Sequence, residues 1–340
     1  MSGEEWLERD TIGWLLEPDN PPVRLLALRN LLDRDPEDAE CIETQQAVMT
    51  YPPIRASLEA QYPEGYWVKP GSGYSPKYRA TVWQITFLEQ MGADGNDLRV
   101  RRGCEYVLNH SQAETGGFGA SGVHTSHPPP SSVIHCLNGN LVRALLGLGW
   151  WGDGRLQQAI EWEAQAITGK GGVRYYQSGT SGPGFSCAVN GTEPCAWGAI
   201  KALRGLARVP AAERSLLVQE AIQTGVEFLL GHDLVQADYP AGNGRISSSW
   251  FKLGFPSGYV ADVLQNLEVL SELGYLADAR VHPALEWLLS KQDVRGRWKN
   301  EYSYHGKLWA DIEHQGQESK WVTLRALCVL KAASSARPMA

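Results

Sequence analysis

One spacing recurs along this chain of 340 residues. Leu58-x2-Gln61-x3-Gly65-x-Trp67 returns as Leu108-x3-Gln112-x3-Gly116-x-Phe118 and again as Leu288-x3-Gln292-x3-Gly296-x-Trp298. Weaker echoes are Gln165-x3-Gly169 and Phe228-Leu229-Leu230 followed by His232. The steps from 61 to 112, 165, 232 and 292 are 51, 53, 67 and 60 residues, enough for two helices and a loop in each unit. A chain built this way buries each unit against its neighbours instead of around one central core.

Between these marks lie apolar runs of helical period that end in glycine or breaker residues. Residues 22–32, 78–91, 134–148, 195–207, 259–273 and 321–333 are small and apolar on several faces, and they read as inner helices. Residues 41–61 (broken at Pro52-Pro53), 98–112, 156–167, 217–230 and 283–291 are amphipathic and read as outer ones. Residues 4–16 supply a sixth outer helix, expected to close a ring against 321–333. The expectation is an all-α fold, an (α/α)6 toroid of helical hairpins, with residues 1–340 as a single domain. An open solenoid is the alternative; the long Gly-, Ser- and aromatic-rich connections favour the ring.

Charge narrows the partners. With 31 Lys+Arg against 38 Asp+Glu the net charge is −7 and there is no long basic run, which argues against nucleic acid or an anionic membrane surface. The start, MSGEEWLERD, is acidic where a secretory signal is basic and then apolar, and no uncharged run reaches the length of a membrane span. A cytoplasmic protein is expected, with a hydrophobic small molecule as its partner; the sequence leaves the oligomeric state open. Six sparse cysteines fit no disulfide framework and no zinc-ribbon spacing, so free thiols are expected; no cofactor is expected, and zinc is possible but not favoured. The aromatic residues lean to rings with a polar handle, 13 Trp and 13 Tyr against 6 Phe, and that excess needs a cause.

The Leu-x3-Gln-x3-Gly-x-Trp spacing resembles the QW motif of squalene-hopene and oxidosqualene cyclases, and more broadly the terpenoid cyclase and protein prenyltransferase toroid superfamily. The resemblance runs in register from about 58 to 298. It implies that Gln caps an outer helix and that its amide stacks on the Trp, so Trp67, Phe118 and Trp298 are staples between units. The chain lacks the Asp-x-Asp-Asp acid of class II cyclases and the Asp-x-Cys zinc pair of prenyltransferase β-subunits. A weaker resemblance is to linalool dehydratase-isomerase, whose pair of cysteines before an inner helix Cys187 and Cys195 look like, with Asn138 and Asn140 near its helix motif. It implies proton shuttling by Cys and His on an allylic alcohol or alkene, with aromatic walls facing positive charge.

Polar residues concentrate in the loops that lead into inner helices. The segment 124–138 carries His124, His127 and His135, and 175–197 ends in Cys187 and Cys195. The helix dipole at these starts favours a thiolate, and His135 would lower the Cys136 thiol further. Catalytic candidates are therefore His135, Cys187, Cys195, Asp311 and His314. Substrate-binding candidates are Tyr78, Trp83, Asn138, Asn190, Trp197, Trp250, Lys252 and Trp309, with the four Trp expected to line a central cavity. The function expected is a terpenoid-cyclase-like lyase or isomerase; the alternatives are a carbohydrate-active toroid (polysaccharide lyase or hydrolase) and a non-catalytic binding protein.

Overall fold

Where the apolar side chains go separates two kinds of helix. The computed structural model describes residues 9–121, 127–170 and 181–336, and among these thirteen α-helices form with no strand. In chain order they are α1 (Arg9–Leu15), α2 (Pro21–Asn30), α3 (Ala39–Thr50), α4 (Pro52–Glu59), α5 (Thr81–Gln90), α6 (Leu98–His110) and α7 (His135–Gly147). Then come α8 (Gly154–Thr168), α9 (Ala196–Ala207), α10 (Leu216–Leu230), α11 (Val263–Glu272), α12 (His282–Ser290) and α13 (Lys320–Ala336). Helix α5 buries every side chain from Thr81 to Leu88, whereas α6 buries a single stripe through Val100, Cys104 and Val107. The first pattern belongs inside and the second outside.

The result is an (α/α)6 toroid. Helices α2, α5, α7, α9, α11 and α13 form the inner ring, and α1, α3 with α4, α6, α8, α10 and α12 back them. Prolines at the first positions of α4 divide it from α3, as expected at Pro52-Pro53. Helix α13 packs on α2, and α1 touches both. Lys320, nearly buried, donates to Glu17 (2.7 Å) and to Asp19, and Thr11 Oγ1 donates to the Arg295 carbonyl (2.7 Å).

The recurring spacing has a three-part geometry. Gln61 Nε2 donates to the Gly65 carbonyl (3.3 Å) and to Arg99 O (2.9 Å) in the first turn of the next outer helix. Gln112 repeats this with Gly116 and Arg155. The Trp67 indole donates back to Ser57 O (2.6 Å), and Trp298 to Leu288 O (2.8 Å). The aromatic residue's own N–H then donates to the next inner helix: Trp67 to Thr81 Oγ1, Phe118 to Asn138 Oδ1 and Trp298 to Thr323 Oγ1. The Gln61 and Gln112 staples thus join an outer helix to both helices of the following hairpin, and the Trp298 staple ties α12 to α13. Gly65 turns at φ +100°, and a Cβ there would lie 2.5 Å from Arg102 O.

Between α7 and α9 the backbones nearly touch. A Cβ on Gly139 would fall 2.2 Å from Lys201 O, so only glycine permits this approach. The close crossing sets the start of α7 beside the start of α9, and with it Cys136 beside Cys195.

Candidate functional site

The N-terminal ends of the inner helices form one mouth of the ring, and three thiols meet there. Cys195 caps α9, Cys136 is the second residue of α7, and Cys187 lies in the loop before α9. All six cysteines of the chain are free. Cys187 lies beside Cys195, and Cys195 beside Cys136. The thiol neighbours, together with burial, push Cys187 well up and Cys195 up to about 12. This reverses the thiolate expected from the helix starts: the adjacent groups are other thiols, so Cys187 and Cys195 are held in the neutral thiol form.

Beside the row stands an aromatic wall. Trp83, buried on α5, meets Tyr259 at 4.9 Å between ring centroids, Tyr78 at 5.1 Å and Tyr74 at 5.8 Å, while Tyr78 meets Tyr304 at 4.5 Å. Burial raises the Tyr259 phenol, which lies within electrostatic range of Tyr74 and Cys136, so it stays protonated. Of the four Trp expected around one cavity, only Trp83 belongs to this wall. Trp197 meets Trp250 (6.4 Å), which in turn meets Tyr239 (5.2 Å). Trp309 is exposed, its indole donating to Arg79 O (3.1 Å).

His135 and Cys136 are adjacent in sequence but point apart. His135 turns outward, 1% exposed, with Nδ1 2.5 Å from Glu163 Oε1 on α8. Burial favours its neutral form, but the Glu163 carboxylate outweighs this and raises the imidazole. Asn138 donates to the other oxygen of Glu163 (2.6 Å) and to Ala159 O while accepting from Phe118 N, so it completes a staple. Asn190 is likewise spent within its loops, on Pro194 O, Pro240 O and Gly242 N. Asp311, His314 and Lys252 are exposed; Asp311 pairs with His305 Nδ1 at 2.8 Å, with the His314 ring 6.1 Å from that of His305. The candidates therefore fall into separate groups, and the mouth gathers Cys187, Cys195, Tyr78 and Trp83. His124 and residues 171–180 lie outside the described residues. Among the described residues no group of three or more His, Cys, Asp or Glu is arranged to hold a metal.

Below the mouth the axis of the ring is charged, which sequence reading missed. Lys201 on α9 is fully buried and donates to Gln265 Oε1; Gln265 in turn donates to Asp262 Oδ2 (3.0 Å). Burial drives Lys201 well below, and Asp262 above, their ordinary values. At the C-terminal ends of the inner helices Arg143 forms a double bond pair with Glu272 (2.8 Å each) and Arg325 one with Glu268. There a cavity of about 200 Å³ is lined by side chains of all six inner helices, and by none of Cys136, Cys187, Cys195, His135 or His314. The available signal was a charge inside an otherwise apolar inner helix, at Glu89, Arg143, Lys201, Arg204 and Glu268.

No protein-family profile matches the chain, and no curated protein sequence matches it. Among solved structures it overlaps the type II terpene cyclase MstE from Scytonema without ligand, at 15% identity over 86% of this chain and 98% of that one, with a TM-score of 0.33. It also overlaps a GH76 α-mannanase from Bacteroides thetaiotaomicron, at 10% identity over 97% and 86%, with a TM-score of 0.39. A protein from Actinoplanes overlaps at 14% identity over 85% and 99%, with a TM-score of 0.31. Overlap at this level transfers no reaction. Among the described residues no helix is long and apolar enough to cross a membrane.

Proposed function

We propose that this chain is a lyase or isomerase that performs acid–base chemistry on an isoprenoid or similarly apolar small molecule at the N-terminal mouth of its inner ring. The observation that carries the reading is the row Cys187, Cys195, Cys136, which ends within electrostatic range of both Tyr259 and Lys201. Environments that push neighbouring acids up and an amine down separate donor from acceptor. Cys195, neutral, gives its proton to the hydroxyl or alkene carbon of the substrate. Loss of water, or protonation of the alkene, leaves a carbocation that the faces of Trp83, Tyr78 and Tyr259 stabilise. The Cys195 thiolate then removes a proton from the neighbouring carbon, forming the new double bond and restoring the thiol. Lys201, bonded to Gln265, lies within electrostatic range of the Cys136 end of the row. The location of the substrate and the cytoplasmic setting are part of the same proposal.

The test uses the full chain in D2O with geraniol and, separately, farnesol, read by mass spectrometry of the recovered alcohol and alkene. The wild type is expected to form an alkene or to place deuterium on carbon, and Cys195→Ser to lower the rate by about a hundredfold or more with unchanged circular dichroism. Neither alkene nor carbon-bound deuterium from either alcohol, or turnover that survives Cys195→Ser, contradicts the reading.

A further inference from the structure

At the other end of the ring, about two helical turns down α7 from Cys136, the charges do not balance. The cavity of about 200 Å³ there is lined by four arginines, Arg143, Arg204, Arg208 and Arg325, and by three glutamates, Glu89, Glu268 and Glu272. Three arginines have close carboxylates. Arg143 has Glu272, Arg325 has Glu268, and Arg208 has Glu89 at 3.1 Å. Arg204 is left over. It is only 6% exposed, its nearest carboxylate oxygen is Glu268 Oε2 at 3.7 Å, and its Nε has no hydrogen-bond partner among the described residues.

A guanidinium presents five donors in a planar fork, and burying one without hydrogen bonds is costly. Burial, and then repulsion from Arg143, bring Arg204 down to about 10. The partner that removes this cost is an acceptor with two oxygens in one plane and at least one negative charge, seated in the cavity against the fork. We infer that the C-terminal end of the inner ring is a binding site for a small oxyanion, a carboxylate or phosphate group, held by Arg204. The site is separate from the thiol mouth and stands or falls independently of the reaction proposed there.

Titration calorimetry and thermal melts on the full chain, at constant ionic strength set with chloride, use inorganic phosphate, diphosphate and succinate as probes. At least one is expected to bind with one-to-one stoichiometry and to raise the melting temperature; phosphate and diphosphate without succinate mark a phosphoryl group, the reverse a carboxylate. Arg204→Gln is expected to weaken that binding at least tenfold, and Arg204→Lys, which keeps the charge without the fork, by less. A merely structural Arg204 would lower the melting temperature when replaced; an arginine awaiting an oxyanion leaves it unchanged or higher in chloride without added probe. Failure of all three probes to bind the wild type, or binding that neither folded variant weakens, overturns the site.

Discussion

At the scale of single residues the mouth of the ring is governed by which neighbour each thiol meets. Because Cys187 and Cys195 face thiols, not a cation, their thiolate fraction at neutral pH is small. Iodoacetamide is therefore expected to modify both more slowly than free cysteine at pH 7.5, with the Cys195 rate climbing until pH approaches about 12, as followed by peptide mass spectrometry. Modification of Cys195 faster than free cysteine at pH 7.5 would remove it as a proton donor. His135 carries the opposite sign. Its value in the fold is raised, so the Glu163 interaction contributes fully below the ordinary histidine value near 6.5 and is lost as pH rises through the folded value. Glu163→Gln is expected to cost about 3–5 kcal/mol in urea unfolding at pH 5.5, and the gap to the wild type should narrow at pH 9. A gap that widens with pH would show that His135 is not the titrating partner.

At the scale of elements, the staples explain why the helices stood out in the sequence so much better than the site. Gln61, Gly65 and Trp67 act within a few residues of one another, so their spacing survives as a pattern in the chain. Their third leg, Thr81, Asn138 or Thr323, lies farther along and follows no fixed spacing, and Asn138 accordingly passed for a ligand residue. Helical period placed α7 and α9 but could not show that His135 turns toward α8 while Cys136 turns toward α9. Nor could it pair Arg143 with Glu272 or Arg325 with Glu268, partners on different inner helices and distant in sequence. The tryptophan excess divides on the same lines: Trp67 and Trp298 are staples, Trp83 belongs to the wall, and Trp309 lies on the surface. Thr81→Val and Thr323→Val each leave a buried N–H without an acceptor. Each is expected to cost about 1–3 kcal/mol in urea unfolding; a cost below about 0.5 kcal/mol at both would mean that the staples do not hold the units together.

At the scale of the molecule, the ring has an aromatic mouth and an opposite end dense in arginine and glutamate, and its seam is between the first and last helices. Leu15 is fully buried, Trp14 stacks under Arg297 at 4.1 Å, and Lys320 relies on Glu17 and Asp19. Removing residues 1–19 should thus uncover apolar surface and strand a buried ammonium, costing about 3–5 kcal/mol and broadening the unfolding transition. A truncated chain that melts as sharply and as high as the full one would show that α1 is not part of the ring. Two ends of such different chemistry give the central claim, that the thiol mouth is where an apolar substrate reacts, a direct test: a crystal structure of the full chain with bound farnesol. The account predicts the alcohol against the Tyr259 and Trp83 rings with its hydroxyl or an alkene carbon within reach of Cys195 Sγ; farnesol lodged among Arg143, Arg204 and Arg325, or absent from the mouth at saturating concentration, would contradict it.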